Sequence, residues 1–314
     1  MHLLKFLLYW IKIILEQVIV LPIAFLIYIL CFRKRGRYNI VICEHIGDML
    51  FTLGYLNAFG KEKNSIPLHV ITTKKWLELV TLYPNAYDSI QVVKHWQLKV
   101  FLLLDHYQVG QVLLKKCNDI TVVDPGNNFT QGYEFARRFP EANLKDCIKY
   151  GILHLDSDAE FETPVKDILT NNRENETKKR ILLCPYASVT NEIDKSIYEM
   201  IVKEYTAKGY QLFTNVTGNQ SVIEGTEPIT SSLRELYTIG DSFACVIGLR
   251  SGILDLLSFC KCPIVAIYPY ANPLVAFFNL KKTNPKNKQI FQYRLTEDLG
   301  KDQIEIMTIL NELI

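Results

Sequence analysis

The chain has no low-complexity block, no internal repeat and no marked excess of either charge. Its 35 Lys and Arg against 33 Asp and Glu leave a net +2 over 314 residues, a balance that does not suggest nucleic-acid binding. No glycine fingerprint of the GxGxxG kind follows any apolar run, and the GxxxxGK[ST] pattern is absent, which argues against dinucleotide oxidoreductases and P-loop enzymes. Cysteine is not organised for metal: Cys260 and Cys262 are too closely spaced for a zinc knuckle and have no second pair. Cys43, Cys184 and Cys245 sit in apolar runs, where a free thiol behaves as a small hydrophobe. All eight cysteines are expected to be reduced thiols of a cytoplasmic protein.

What is present begins with an almost continuously apolar N-terminus, HLLKFLLYWIKIILEQVIVLPIAFLIYILCF, followed at once by RKRGR. It lacks a small-residue cleavage site and is too long for a signal-peptide core, so retention as a membrane anchor over residues 1–37 is expected. The uninterrupted run from Val18 to Phe32 would rise about 22 Å as a helix, short of the roughly 30 Å hydrocarbon core. Lys5, Lys12 and Glu16 give the preceding part an amphipathic, interfacial character, and Pro22 allows a bend. A bitopic and a re-entrant geometry both stay open. In either, Arg33, Lys34, Arg35 and Arg37 are expected on the cytoplasmic side against anionic lipid.

From Tyr38 onward short β-rich runs alternate with helical patterns. NIVIC, LHVIT, SIQVV and DITVVD read as strands of a first half; RILLC, YQLFT, FACVIG and PIVAIY read as strands of a second. Helices between strands imply parallel sheets of βαβ units, so the fold class is α/β with two Rossmann-like domains facing a cleft. The expected division is residues 38–172, a polar linker at 173–180, a second domain at 181–298 and a final helix at 299–314. In that helix Ile304, Met307 and Leu310 recur at three-residue spacing.

The corners just after strands are where chemistry is expected. In CEHIGD, Gly47 suits a tight turn and Asp48 falls where a helix N-cap belongs; a carboxylate there could equally act as a general base. His45 and Glu44 are weaker candidates, and both could be solvated loop. In IGLRSG, a strand gives way to a helix at Arg250-Ser251-Gly252, a place suited to phosphate, with Arg250 able to add a charged contact. A plain turn with a solvated arginine is the alternative. Two further loops, Pro185-Tyr186-Ala187-Ser188 and Thr214 to Asn219, carry small polar groups such as Ser188, Asn215 and Thr217 that suit a nucleotide. Lys195 could reach a phosphate, and Glu224 or Glu227 a ribose, though a solvated surface suits all three as well.

Together the HIGD-type turn, the P-x-A-S loop and the late glycine-bearing turn resemble the heptosyltransferase-like glycosyltransferases of family 9, over roughly residues 38–290. The resemblance implies a GT-B fold and an inverting, metal-independent sugar transfer, with Asp48 as general base and Lys195 on donor phosphate. Tyr186 stands where that family has glycine in its PGAS loop. Its D-T-G-x-x-H turn corresponds to Arg250-Ser251-Gly252-Ile253-Leu254-Asp255, keeping only a hydroxyl residue and the glycine. No persuasive D-x-D site for a divalent ion is present, and no metal or other cofactor is expected.

The expected activity is therefore a glycosyltransferase of surface-polysaccharide assembly at the cytoplasmic face of the cell membrane. Its donor would be a nucleotide-diphosphate sugar, bound through Ser188, Lys195, Asn215, Thr217, Arg250, Ser251, Gly252 and Asp255. Its acceptor would be a lipid-linked glycan or polysaccharide. A non-catalytic scaffold of the same fold and a sugar-nucleotide epimerase are the alternatives.

Overall fold

The computed structural model describes residues 2–42, 45–126, 132–166, 179–187, 193–270 and 276–314. The chain forms two compact units, Met1–Glu162 and Thr163–Ile314. Local hydrogen bonds and packing explain why the division falls there. The Glu162 amide donates to the Gly54 carbonyl at 2.8 Å and the Phe161 ring packs on Tyr55, both in the first unit. Pro164 and Lys166 belong to the second: the Tyr237 hydroxyl donates to the Pro164 carbonyl at 3.1 Å, and the Lys166 ammonium pairs with Asp241 at 2.6 Å. Most of the expected polar linker lies outside the described residues.

The first unit runs α1 (His2–Leu15), α2 (Leu21–Ile27), β1 (Tyr38–Ile42), α3 (Ile46–Glu62), β2 (Leu68–Thr73), α4 (Leu77–Thr81) and β3 (Ser89–Val93). It continues through α5 (His95–His106), α6 (Gln108–Cys117), β4 (Ile120–Val123), α7 (Gly132–Arg138) and α8 (Leu144–Asp146). Its parallel sheet has the order β3-β2-β1-β4. Ile40, Val41 and Ile42 are fully buried, as expected for a parallel strand covered on both faces. In α3 the burial is wider than the expected stripe of Met49, Leu50, Leu53 and Leu56: Phe51, Thr52, Gly54 and Tyr55 are buried too.

One face of this sheet is closed by α5 and α6 together with the N-terminal segment. Leu21, Ala24, Tyr28 and Phe32 share a core with Val41, Ile71, Leu98, Phe101, Leu114 and Val122. The sequence sets residues 1–37 apart from the folded units, whereas their second half is part of the first unit's packing. The basic flank is also partly committed. The Arg33 Nε donates to Asp119 at 2.8 Å and an Arg37 guanidinium nitrogen donates to the Ser89 hydroxyl at 2.7 Å, while Lys34 and Arg35 stay exposed.

The second unit runs β5 (Arg180–Cys184), α9 (Lys195–Ala207), β6 (Gln211–Asn215), β7 (Glu227–Ile229), α10 (Leu233–Ile239) and β8 (Cys245–Leu249). It ends with α11 (Gly252–Leu257), β9 (Ile264–Tyr268), α12 (Leu280–Thr283), β10 (Ile290–Arg294) and α13 (Leu299–Leu313). Its six parallel strands are ordered β10-β9-β8-β5-β6-β7, the doubly wound order in which two halves diverge from a central pair. The final helix contributes Ile306 and Leu310 to the core beside α9. Ile304, expected on the buried stripe, is 68% exposed, because the packed face is set by Asp302, Ile306 and Leu310.

At the centre of this sheet Gly248 of β8 pairs with Cys184 of β5. A Cβ on Gly248 would fall 2.6 Å from the Cys184 carbonyl oxygen and 2.7 Å from its Cβ, a contact neither strand can relieve by moving a flexible side chain. Gly248→Val is expected to destabilise the second unit by about 1–3 kcal/mol through overpacking, read as earlier chemical unfolding. A stability equal to that of the parent would contradict this close approach.

Candidate functional site

In open parallel sheets a ligand binds beyond the carboxyl ends of the strands, where neighbouring connections leave in opposite directions. In the first unit that place lies between β1 and β4. The helix after β1 opens with His45 as its N-cap, in an extended conformation, with the His45 carbonyl accepting the Met49 amide at 3.0 Å. Asp48 is therefore the third helical residue and not the cap, and Gly47 lies inside the first turn instead of forming a turn of its own. The shift follows from the helix starting at Ile46, three residues earlier than the sequence pattern suggests. A carboxylate within a first helical turn is favoured by the amide dipoles there.

Asp48 is 4% exposed. Its charge reaches Cys147, whose thiol is pushed up to about 12, mainly by burial and further by Asp48. Glu44 lies outside the described residues. The turn after β4 brings a group that the sequence did not single out: a Cβ on Gly126 would lie 3.6 Å from the Asp124 Oδ1 and 3.8 Å from the His45 Nε2. Asp124 and His45 thus converge on one glycine at the switch point. An acid directly after an apolar run, in VVDPG, carries the same signal as CEHIGD and marks the position in the sequence.

In the second unit the switch point lies between β5 and β8. Ser251 caps α11 in an extended conformation without a side-chain cap bond, and its Oγ is buried with no hydrogen-bond partner among the described residues. Arg250 is not a solvated arm. Its Nε donates to the Phe278 carbonyl at 2.6 Å, one terminal nitrogen to the Ser251 carbonyl at 2.7 Å, and both terminal nitrogens to the Asp255 carboxylate at 3.0 and 2.7 Å. The side chains of Arg250 and Asp255 are only 4% and 3% exposed. Burial pushes the Asp255 carboxyl up, and the guanidinium opposes that rise. The arginine and the acid, read from the sequence as separate ligand contacts, are one buried pair that fixes the turn.

The loops after β5 and β6 meet. The Tyr186 hydroxyl donates to the Ser221 carbonyl at 2.6 Å, so the tyrosine standing in the P-x-A-S loop ties that loop to its neighbour. Asn215 ends β6 and is buried; Thr217 is exposed, with its amide and hydroxyl on the Gln220 side-chain carbonyl at 2.8 and 3.0 Å. Gly218, at φ +60°, carries the turn between Thr217 and Gln220 in a left-handed conformation. Lys195 is exposed at the first position of α9, behind Asp194, whose carboxylate accepts the Ser196 amide at 2.9 Å. Glu224 and Glu227 are exposed, and Ser188 lies outside the described residues. At the end of β9, Tyr268 adds a support absent from the sequence expectations, its hydroxyl accepting the Leu280 amide at 3.0 Å and donating to the Phe278 carbonyl at 3.1 Å.

Burial pushes the thiols of Cys184 and Cys245 up to about 12, so neither is a thiolate at neutral pH. Among the described residues no group of three or more His, Cys, Asp or Glu is arranged to hold a metal ion.

No protein-family model and no curated protein sequence matches the chain. Solved structures do. An ADP-heptose lipopolysaccharide heptosyltransferase II of Escherichia coli aligns at a TM-score of 0.57 and 12% identity, covering 88% of this chain and 98% of its own. A family 9 glycosyltransferase from Veillonella parvula aligns at 0.51 and 12% identity, covering 88% and 92%. A UDP-N-acetylglucosamine 2-epimerase of Listeria monocytogenes, itself so named on a provisional basis, aligns at 0.51 and 9% identity, covering 88% of each chain. At these identities the likeness is one of fold: two Rossmann-type units in one chain, a GT-B-like architecture.

Proposed function

We propose that the protein is a membrane-associated glycosyltransferase that takes a sugar from a nucleotide-diphosphate donor to a hydroxyl of a lipid-linked glycan, in surface-polysaccharide assembly. The observation that carries the reading is the second unit's switch point. There the Ser251 hydroxyl is buried without a hydrogen-bond partner among the described residues, beside a turn held rigid by the Arg250–Asp255 pair. A buried hydroxyl left unsatisfied costs about 1–3 kcal/mol, and a donor phosphate oxygen is a fitting acceptor for it. The adjoining loops supply Tyr186, Asn215 and Thr217 for the nucleoside, with Lys195 and Ser188 as further donor contacts.

In this reading Asp48 of the first unit takes the proton from the acceptor hydroxyl as it attacks the anomeric carbon. One in-line displacement of this kind inverts the configuration. His45 and Asp124 orient the acceptor, and backbone amides with Ser251 stabilise the departing diphosphate without a divalent ion. Arg250 acts there through its hold on the turn.

A thermal-shift panel of UDP, GDP, ADP, CDP and dTDP tests the donor assignment. One nucleotide is expected to raise the unfolding temperature of the parent protein, and Ser251→Ala to weaken that binding about tenfold while leaving the ligand-free transition in place. Absence of any shift across the panel would sink the donor site. The fold likeness to the epimerase sustains a second reading. Conversion of a free nucleotide sugar to its epimer, with no acceptor present, would select it.

A further inference from the structure

The N-terminal segment is helical from His2 to Phe32, as α1, a wider turn at Glu16–Val20, α2, and a second wide turn at Tyr28–Phe32. Tyr9–Phe32 is a 24-residue apolar helical run, long enough to cross a bilayer; its most apolar 18-residue window has a mean hydropathy of 2.5, yet only 17% of that window is buried. A core helix would be covered; this one is two-faced. Leu21, Ala24, Tyr28 and Phe32 are 0%, 3%, 0% and 5% exposed against the first unit. Ile19, Ile23, Leu26 and Leu30 are 50%, 52%, 56% and 73% exposed. At 100° per residue these two sets centre on opposite sides of the helix. Towards the N-terminus the segment is exposed on several sides, with Tyr9, Ile14 and Val18 at 60%, 57% and 68%.

Two polar ties hold the inner face along its length. The Tyr107 hydroxyl donates to the Glu16 carboxylate, and Arg33 pairs with Asp119 at 2.8 Å. The span between Glu16 and Arg33 is roughly 25 Å of helix. Over that distance the helix cannot leave the first unit without breaking its core. A perpendicular crossing would carry α5 and α6 into the hydrocarbon, with the exposed Lys99, His106, Lys115 and Lys116. A lysine at the bilayer centre costs about 2.5–3.5 kcal/mol.

We infer that the segment lies in the plane of an anionic bilayer, its outer face among the acyl chains and its inner face on the first unit, so that the N-terminus stays on that unit's side. Lys5, Lys12, Lys34 and Arg35 are exposed along the segment and at its end, with the charge that acidic headgroups attract. The inference rests on the membrane association proposed above and specifies its geometry: monotopic, neither bitopic nor a re-entrant hairpin.

Two measurements on the full chain test it. In flotation with vesicles of phosphatidylcholine and phosphatidylglycerol at 7:3, the parent protein is expected to co-float. The double variant Ile23→Glu, Leu26→Glu is expected to lose at least tenfold of its binding while its tryptophan fluorescence stays native. In inverted inner-membrane vesicles from an expressing bacterium, an N-terminal epitope is expected to be cut by added protease. An epitope protected until detergent is added would establish a crossing and overturn the in-plane geometry while leaving membrane association intact. No flotation of the parent would overturn membrane association itself. A dimer that does not float and is dispersed by the double variant would give the face to a second copy of the chain, overturning the inference.

Discussion

Asp255→Ala is expected to destabilise the second unit by about 3–5 kcal/mol, because it strands a guanidinium inside the fold. The Arg250 side chain is 4% exposed and has its two terminal nitrogens on Asp255. Its other bonds, to the Phe278 and Ser251 carbonyls, lie on either side of the turn, so the loss also loosens the connection between the ends of β8 and β9. Arg250→Met with Asp255→Leu removes both charges at similar volume, and is expected to recover most of the stability lost by the single change. The tryptophans Trp10, Trp76 and Trp96 all lie in the first unit, so fluorescence should hardly register the single variant. Amide hydrogen exchange in β5 and β8 reads it directly. A single variant as protected as the parent would show that the pair contributes nothing, and a double variant no better than the single would place the cost elsewhere.

The contrast between that pair and its appearance in the sequence shows what pattern alone reveals. RSGILD places an arginine and an acid five residues apart around a strand-to-helix turn, and the expectation of a phosphate clamp treats them as two outward-facing groups. Their mutual burial depends on the Phe278 carbonyl arriving from 28 residues downstream, which no local spacing encodes. The central strands were legible for the opposite reason. RILLC, CVIGL and IVAIY are continuous apolar runs because parallel strands are covered on both faces, and burial on both faces is a local demand on every residue.

The edge strands β7 and β10 escaped. EPI is three residues long with a proline, and IFQYR mixes Gln292 and Arg294 into the run, as edges permit where one side needs no apolar cover. In the first unit the place of Asp48 after a strand is legible, but the helix begins three residues before the expected start, a boundary that local pattern does not fix. The N-terminal segment was read as membrane-bound from its hydropathy. The stripe of Leu21, Ala24, Tyr28 and Phe32 that docks it is as apolar as the face left open, so composition could not separate the two.

Asp48→Asn is expected to lower the rate of sugar transfer by about 10²–10⁴-fold, the range that a positioned general base supplies, with nucleotide affinity unchanged. Asparagine keeps the shape and a hydrogen-bonding oxygen but cannot take a proton. The change costs the fold little: loss of one carboxylate from the first turn of α3 removes about 0.3–1 kcal/mol of dipole stabilisation, small beside the 17-residue helix packed around Met49, Leu50 and Leu53. Asp48 itself is 4% exposed, so the acceptor hydroxyl must meet it at the sheet's carboxyl edge, on the side shared with His45 and Asp124. A structural aspartate and a catalytic one then give opposite results. If Asp48 serves only the helix, Asp48→Asn and Asp48→Ala should lower the unfolding temperature together and leave the rate per folded molecule near that of the parent. If it is the base, both variants should bind the nucleotide as the parent does, and both should fail at turnover. His45→Gln separates orientation from proton transfer: loss of an orienting group raises KM for the acceptor more than it lowers kcat, whereas an equal loss in kcat and kcat/KM would make His45, and not Asp48, the group acting in the transition state.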